Sequence, residues 1–343
     1  MEVSYELGIA GGGPAGCAAA ITAARSGKRV LLCEKGRLPR HRVCGEFVSA
    51  ESHEVLADLL GRHHLLLRAA PRIRGARMFA DDNCVEFHLD RPGWSISRFD
   101  LDQALWQAAL SADVDARESA GVSEIGKGFL QLKGARIPVN TAMNASGRWS
   151  NLRQSPSQAA SRWIGIKAHF SGELAPPCTD IYFFDGGYCG VQPIAGGRLN
   201  ASAMVRSDRA TSLQEVFASH PQLWTRSRAW EQMTETVTTA PLVHAEPEPS
   251  TDGVINVGDA AAFIDPFTGD GISLALRSGV LAAKCSGPEE YALEYQARFV
   301  RAFRTAAFAR RLSRAPQQVR EITAFAFRSE WLRNWVLRNT RGR

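Results

Sequence analysis

The residues best placed for chemistry in this 343-residue chain are three glycines and one acid near its start. Gly11, Gly13 and Gly16 fit G-x-G-x-x-G between an apolar run and an alanine-rich helical pattern, and Glu34 ends the next apolar run. In such a turn the first glycine permits the bend, the second lets a pyrophosphate approach the backbone, and the third allows close helix packing. The helix start also offers N–H groups to phosphate. We therefore predict a dinucleotide site, with Glu34 binding ribose hydroxyls; the alternative is a glycine-rich turn without a ligand.

A second informative stretch runs from Gly253 to Gly271. It predicts a strand ending at Asp259 and a glycine-bearing turn that opens a helix over Ile272–Cys285. An acid at a strand end suits the hydroxyls of a polyol, and a helix start suits an anionic ring edge. A flavin has both a ribityl chain and a ring edge that becomes negative on reduction, whereas a nicotinamide nucleotide has no ribityl chain. The pattern therefore favours non-covalent FAD.

The order of predicted elements indicates an α/β fold. We expect a Rossmann-type FAD-binding domain with a parallel sheet, an inserted antiparallel-sheet substrate domain, and C-terminal helices. Strands are predicted within residues 163–205, around a Gly196-Gly197 hairpin turn, and helices at 49–60, 103–110, 211–219 and 221–231. The predicted boundaries are 1–70, 97–155 and 245–286 for the FAD-binding domain, 71–96 and 156–244 for the substrate domain, and 287–343 for the C-terminal segment.

Composition limits the partners and the compartment. A net charge of +6 comes without basic runs interleaved with stacking aromatics, so no nucleic-acid partner is expected. Seven cysteines without C-x-x-C, and histidines without ligand spacing, predict neither disulfides nor a metal site. The histidines are expected to be surface or satisfied core residues. This cysteine usage fits a reducing cytoplasm, where we expect the protein to lie. No apolar run reaches the length of a membrane span.

Two arginine-rich stretches have open interpretations. In the loop after Glu34, Arg42 is either a partner for phosphate or ribityl oxygens or a solvated side chain, and Cys44 is expected to be packed rather than nucleophilic. From Arg298 onward the chain is basic with interspersed aromatics. This pattern predicts an amphipathic helical cover over the core, or alternatively a peripheral contact with a membrane surface.

Three blocks of the sequence resemble a known family. Gly11–Gly16 with Glu34, the loop Cys44-Gly45-Glu46, and the run from Gly258 to Gly271 are similar to FAD-dependent oxidoreductases of the p-hydroxybenzoate-hydroxylase fold, geranylgeranyl-reductase-like branch. The resemblance covers residues 1 to about 285. With the residue patterns above, it implies a cofactor-binding set of Gly11, Gly13, Pro14, Ala15, Gly16, Glu34, Lys35, Arg42, Cys44, Gly45, Arg98, Gly258, Asp259, Pro266, Gly269, Gly271 and Ile272.

The sequence also departs from this family at two places. Where related hydroxylases carry D-G-x-x-S, this chain has Ser146-Gly147-Arg148-Trp149-Ser150. Where archaeal geranylgeranyl reductases carry Y-x-W-x-F-P, it keeps Tyr188 and Pro193 but has Gly190 and Gln192 at the bulky positions. The resemblance thus implies a roomier, more polar substrate pocket against this segment, with Tyr188 and Gln192 facing the flavin ring.

Three functions remain open from the sequence. The first is a reductase or dehydrogenase that transfers a hydride at flavin N5 to or from a carbon–carbon bond of a hydrophobic metabolite. NAD(P)H or an electron-donor protein would be its transient reductant. The second is a monooxygenase acting on an aromatic or polyketide-like substrate; a halogenase is disfavoured because no lysine occurs from Gly36 to Gly126. The third is a redox-neutral flavin-dependent cyclase or a nucleotide-binding partner protein.

Overall fold

The structure, a computed structural model, describes residues 5–80, 83–148, 152, 162–173, 176–239, 246–264, 266 and 269–313. Trp149, Ser150, Asp265 and the basic residues from Arg314 to Arg343, which the sequence analysis singled out, lie outside the described residues.

The described chain alternates strands and helices through its first part and becomes strand-rich in its middle. The strands are β1 (Tyr5–Ala10), β2 (Val30–Cys33), β3 (Phe47–Val48), β4 (Arg72–Ala80), β5 (Asn83–Ser95), β6 (Asp115–Arg117), β7 (Val122–Gly126), β8 (Phe129–Leu132), β9 (Ala135–Asn144), β10 (Trp163–Ser171), β11 (Cys178–Phe184), β12 (Gly187–Ile194), β13 (Arg198–Arg206), β14 (Glu231–Gln232), β15 (Val237–Thr239), β16 (Ser250–Thr251) and β17 (Val254–Asn256). The helices are α1 (Pro14–Arg25), α2 (Ala50–Leu60), α3 (Leu65–Ala69), α4 (Arg98–Ser111), α5 (Leu213–Ala218), α6 (Pro221–Ser227), α7 (Gly271–Lys284) and α8 (Pro288–Ser313).

The first sheet is the parallel one that the glycine turn predicted. Its strands lie in the order β16-β17-β9-β1-β2-β6, and β17, β9, β1, β2 and β6 pair in parallel. Helices α1, α4 and α7 cover one face through an apolar core that includes Ile9 and Leu32. The antiparallel strands β7 and β8 cover the other face around Leu130. Because the strands are parallel, their carboxyl ends meet at one edge of the sheet.

The second sheet has the order β14-β10-β13-β12-β11-β4-β5-β3, with β15 paired to β10. Its outer face is packed by α5 and α6 through residues such as Val191 and Phe217. Strands alternate their side chains between two faces. The opposite, inner face therefore carries Lys167, His169, Tyr188, Gly190, Gln192 and Asn200, and it is directed toward the loop that precedes β3.

Most predicted elements are confirmed, and four details differ. Pairing within residues 163–206 is antiparallel as predicted, but β4 joins β11 in parallel, so the sheet is mixed. Helix α4 begins at Arg98, within the opening that Ser97–Asp102 predicts, because the Ser97 hydroxyl accepts from the Asp100 N–H and caps the helix. Strand β17 ends at Asn256, so Asp259, the predicted strand end, lies in a short 3-10 turn over Gly258–Ala260. Helix α6 ends at Ser227, before β14. Strand β3 belongs to the second sheet although it falls within predicted segment 1–70. The domain boundaries themselves stay a prediction.

Helix α8 begins as the predicted cover over the core. Tyr291, Tyr295 and Phe299 are buried in the first core, and the Tyr291 hydroxyl donates to the Asn256 carbonyl over 3.1 Å. Arg298 on the same helix is exposed and pairs with Glu294. Among the helices that the structure describes, none combines the length and the hydropathy needed to cross a membrane.

Candidate active site

The glycine turn after β1 has the geometry that its spacing predicted. Gly11 has φ +115°, and a Cβ there would lie 2.3 Å from the Ala145 carbonyl oxygen. At Gly16 a Cβ would lie 1.9 Å from the Gly11 oxygen, so only glycine permits the approach of α1 to β1. A Cβ at Gly13 would meet nothing within 4 Å. The backbone at Gly13 is therefore open to a ligand, whereas Gly11 and Gly16 are in close contact with other backbone atoms.

The first turn of α1 lies beside this opening. Gly13 is its N-cap, Pro14 follows at the first helical position, and no side chain caps the N–H groups of the turn. Ala15 is buried against Gly258, where a Cβ on that glycine would lie 3.0 Å from the alanine methyl. Uncapped N–H groups and the positive end of the helix dipole favour an anion such as a pyrophosphate.

Glu34 lies where the sequence predicted, at the end of β2. Its carboxylate accepts from the Gly12 N–H over 2.8 Å and from the Gly36 N–H over 3.1 Å, and it pairs with Arg40. These bonds orient the acid across the turn, where a ribose would lie next to a pyrophosphate at Gly13. Lys35, the adjacent predicted residue, is exposed beside Gly121.

The second predicted stretch reaches the same edge of the sheet. Gly258 follows β17, has φ +59°, and donates its N–H to the Ser278 hydroxyl of α7 over 2.9 Å. Helix α7 begins at Gly271, and its N-cap residue, Asp270, makes no side-chain hydrogen bond to the first turn; a Cβ at Gly271 would meet nothing within 4 Å. Gly269 has φ +71° and Ile272 is buried behind it. The starts of α1 and α7 therefore follow β1 and β17, two strands of one sheet that are separated by β9.

Charged side chains surround Asp259. Arg148 lies 3.6 Å from its carboxylate, and the Arg148 guanidinium stacks over Phe263 with 4.0 Å to the ring centroid. Burial raises the pKa of Asp259, partly offset by the positive charges of Arg148 and Arg98. Burial lowers the pKa of Arg148, which Asp259 opposes. Its Nη1 has no partner among the described residues and is buried, so it suits a polar atom of a bound ligand.

Arg98, a predicted cofactor residue, is held by partners within the protein. Its guanidinium binds both oxygens of Asp102, over 2.9 and 2.8 Å, which raises the pKa of Arg98 despite its burial. Its backbone N–H donates to Glu46. Arg42, Gly45 and Pro266 are exposed around the same opening, and Cys44 is half-buried with a free thiol. All seven cysteines are free.

The predicted pocket residues share the inner face of the second sheet. Tyr188 is buried, whereas Gly190 is half-exposed, and a Cβ on Gly190 would approach only the Ser202 carbonyl, at 3.7 Å. Gln192 is buried, donates to the Ser95 hydroxyl over 2.6 Å and accepts from Thr179 over 2.8 Å. Gln192 is thus held by protein partners, and the open position on this face is Gly190.

An apolar wall flanks that open position. It consists of Tyr188 and Met204, which are buried, and the partly exposed Trp163, Ile181, Phe183 and Phe263. Phe263 comes from the loop after β17 and also contacts Arg148, so this wall joins the edge of the first sheet to the inner face of the second. The sequence predicted the strands of this wall but not the contribution of Phe263.

A buried ionic cluster was missed entirely. Glu46, Lys167 and His169 are fully buried, and both basic side chains contact the Glu46 carboxylate. The sequence indicates Glu46 only as the third residue of the Cys44-Gly45-Glu46 loop, and it predicts His169 as a surface or satisfied core histidine. Lys167 and His169 are two residues apart on a predicted strand, so both lie on one face of the sheet. Two basic residues on one face of a predicted strand were the sequence signal that could have indicated this cluster.

Comparison with known proteins agrees with this geometry. Residues 6–45 match the family model described as FAD dependent oxidoreductase. A menaquinone reductase from Mycobacterium tuberculosis is 26% identical, over 83% of this chain and 77% of the relative. A digeranylgeranylglycerophospholipid reductase from Thermoplasma volcanium is 28% identical, over 82% and 78%. The chain is an FAD-dependent oxidoreductase.

Solved structures show that this oxidoreductase shares its fold with reductases and halogenases alike. A flavin-dependent brominase matches with a TM-score of 0.80 and 20% identity, covering 98% of this chain and 93% of the other. A geranylgeranyl bacteriochlorophyll reductase-like protein from Thermoplasma acidophilum matches with a TM-score of 0.73 and 21% identity, covering 92% and 89%. The predicted fold class is therefore confirmed.

The residues of this oxidoreductase fit FAD. The open backbone at Gly13 and the uncapped start of α1 suit the pyrophosphate, and Glu34 suits the ribose. Asp259 and the unpartnered Nη1 of Arg148 offer an acceptor and a donor further along the edge. The assignment of single residues to parts of the cofactor stays a prediction.

Proposed function

We propose that this FAD-dependent oxidoreductase reduces or dehydrogenates a carbon–carbon bond of a hydrophobic small molecule. The observation that carries the proposal is the apolar wall beside Gly190. Its partly exposed members can bury apolar substrate surface at about 25 cal/mol per Å². Phe263 connects this wall to Arg148 and Asp259, so a substrate on the wall would lie next to the cofactor edge.

The chain would orient the reactants and compensate charge. FAD, when bound, supplies or accepts a hydride at N5 of its ring. The uncapped start of α7 and the Arg148 guanidinium place positive charge where the cofactor edge is expected. Gly190 leaves room for the substrate between the two sheets, and the aromatic members of the wall exclude water from it.

The names of the curated relatives support a reductase. The two relatives described above are named reductases of menaquinone and of digeranylgeranylglycerophospholipid. Glycine and glutamine at positions 190 and 192 support a roomier and more polar pocket than in the geranylgeranyl reductases that the sequence resembles. NAD(P)H or an electron-donor protein is the proposed transient reductant. A cytoplasmic location, with or without peripheral membrane contact by the C-terminal segment, stays a prediction.

Anaerobic reoxidation of the bound flavin tests the proposal. The FAD-bound protein is photoreduced without oxygen, and menaquinone, a geranylgeranylated glycerophospholipid and a saturated analogue of that lipid are added separately. We expect one of the unsaturated compounds to restore the oxidised flavin spectrum and to gain two hydrogens at a carbon–carbon bond, located by tandem mass spectrometry after any quinol has been reoxidised to the quinone. The saturated analogue is the matched control and should leave the flavin reduced.

The monooxygenase alternative gives a different result. If reoxidation occurs only after oxygen is admitted, and the organic product gains an oxygen atom, the chain is a monooxygenase and the proposal is wrong. A product that forms with reduced flavin but without net electron consumption would indicate the cyclase.

A further inference from the structure

Three ionisable side chains without a role in the proposed reaction meet between the two sheets. Glu46 lies at the end of the Cys44-Gly45-Glu46 loop, and Lys167 and His169 project from the inner face of β10. Each of the three has a relative exposure of 0%. The lysine and the acid are 121 residues apart in sequence, so the contact exists only because β10 packs against the loop.

The carboxylate of Glu46 binds three donors. One oxygen accepts from Lys167 Nζ and from the Arg98 backbone N–H, the latter over 2.8 Å. The other oxygen lies 2.8 Å from His169 Nε2. Burial alone would raise the pKa of Glu46, but the His169 hydrogen bond and the Lys167 charge outweigh it and lower that pKa. Glu46 is therefore held as a carboxylate, and His169 donates to it through Nε2.

This buried ionic cluster is not expected to stabilise the protein more than an apolar core of the same volume would. Buried ions lose their hydration, and well-packed apolar residues of similar volume are often as stable or more so. Glu46 also has φ +62°, in the left-handed region that side chains other than glycine disfavour. Strain and buried charge at one residue beside a ligand site indicate a functional constraint rather than a contribution to stability.

The cluster determines where the loop lies. Asn200 on β13 donates to the Cys44 and Gly45 carbonyls, over 3.1 and 3.0 Å, which adds a second anchor from the same sheet face. On the other side, Phe47 covers Gly269 at the start of α7, where a Cβ would lie 3.1 Å from the ring. Gly45 is exposed between these anchors, with open space over its Cα. The loop therefore lies between the inner face and the uncapped helix start that faces the cofactor edge.

We propose that Lys167 and His169, acting through Glu46, are positioning residues that hold the Cys44-Gly45-Glu46 loop against bound FAD and set its reduction potential. Reduction adds negative charge to the flavin, and charges in a poorly hydrated interior interact more strongly than in water. Lys167 balances the Glu46 carboxylate, so removal of either partner changes the net charge beside the cofactor with opposite sign. This inference requires FAD binding but does not depend on the substrate.

The test compares reduction potentials of FAD-bound variants by equilibrium titration against a reference dye, without substrate. In Lys167→Met the uncompensated carboxylate should weaken binding of reduced relative to oxidised FAD by about tenfold, a shift of about −30 mV for a two-electron couple. Glu46→Gln should shift the potential in the positive direction. Lys133→Met is the matched control, because Lys133 is exposed between β8 and β9, and it should leave the potential unchanged.

Shifts of the reduction potential in opposite directions in Lys167→Met and Glu46→Gln would distinguish this role from a purely structural one. Lys167→Arg keeps the charge and should stay close to wild type. If Lys167→Met does not yield folded protein, the direction of the potential shift in Glu46→Gln tests the proposal by itself. Loss of FAD from a folded Glu46→Gln protein would support the positioning role. Full FAD occupancy with an unchanged potential in Glu46→Gln, or shifts of the same sign in both variants, would overturn the proposal.

Discussion

The carboxyl edge of the first sheet is built from backbone, whereas the inner face of the second sheet is built from side chains. At the edge, the absence of side chains shapes the site at Gly11, Gly13 and Gly16, and the N–H groups of the helix start are the hydrogen-bond donors. On the inner face, Lys167 and His169 meet a carboxylate from a distant loop inside the protein. The predicted phosphate site is thus formed by a short local pattern, while the ionic cluster of the inner face is assembled from long-range contacts.

The largest effect on stability and FAD binding should follow from adding a side chain to the glycine turn at the carboxyl edge of the first sheet. In Gly16→Ala the new Cβ would lie 1.9 Å from the Gly11 carbonyl oxygen, a backbone atom that cannot move alone. We expect a loss of about 2–3 kcal/mol in the free energy of unfolding and no bound FAD, measured by denaturant unfolding and by flavin absorbance.

Gly13→Ala is the matched variant at the same turn. Its Cβ would meet nothing within 4 Å, so stability should change by less than about 0.5 kcal/mol. FAD affinity should still fall, because the methyl group occupies the space of the pyrophosphate. Normal FAD affinity in Gly13→Ala would show that the open backbone is not the phosphate site.

On the inner face, filling the open position should remove activity and leave the fold intact. Gly190→Trp projects a large side chain into the space beside Ile181 and Ser202, where an added Cβ would approach only the Ser202 carbonyl, at 3.7 Å. Turnover should be abolished with a nearly unchanged FAD spectrum and Tm. Gly190→Ala, as the small control, should keep activity. Unaltered turnover in Gly190→Trp would place the pocket elsewhere.

Gln192 is a poorer probe of that pocket than its position suggests. Because its amide binds Ser95 and Thr179, Gln192→Ala would leave two hydroxyl groups without this partner. Its effect on stability, about 1–3 kcal/mol, would be superimposed on any effect on turnover.

Replacing the Asp259 side chain at the same edge should weaken FAD binding less than replacing the glycines of the turn. Asp259→Ala should weaken FAD binding by about 1.5–3 kcal/mol, measured as the dissociation constant, and more than Asp265→Ala. Because burial raises the pKa of Asp259, partly offset by Arg148 and Arg98, FAD-free Asp259→Asn should unfold at the same or a higher temperature than wild type. Equal FAD dissociation constants for wild type and Asp259→Ala would exclude a role in binding.

The smallest expected effect is a change in acid sensitivity on the inner face. The His169 and Lys167 contacts outweigh burial and lower the pKa of Glu46 below that of the unfolded chain, so the unfolded chain binds this proton first as the pH falls. The stabilisation is present above the pKa of the unfolded chain and is lost as the pH falls through the lowered pKa of the folded state. Glu46→Gln should therefore show a smaller drop in Tm between neutral and acidic pH than wild type.

Glu54→Gln is the control for that measurement. Glu54 pairs with Arg91 at the surface, with 68% of its side chain exposed, and such pairs contribute little. Its acid-induced drop in Tm should equal that of wild type. An equal drop in Glu46→Gln and wild type would mean that the buried carboxylate does not titrate separately from the rest of the protein.

The sequence predicted the glycine-turn half of the cofactor edge because that half is local. The turn, the helix start and Glu34 occupy fewer than thirty consecutive residues, and glycine spacing reports backbone geometry directly. The strand pattern likewise predicted the strands of the second sheet and the shared face of Tyr188, Gly190 and Gln192.

Only the tertiary structure decided what those strands touch. Sequence alternation does not say which strand pairs with which, and the parallel pairing of β4 with β11 followed from packing rather than from any turn signal. A register slip of one residue would have moved Lys167 and His169 to the outer face among apolar side chains. Their contact with Glu46 depends on that register and on the loop held by Asn200, because side chains over a hundred residues apart meet only when the sheets pack.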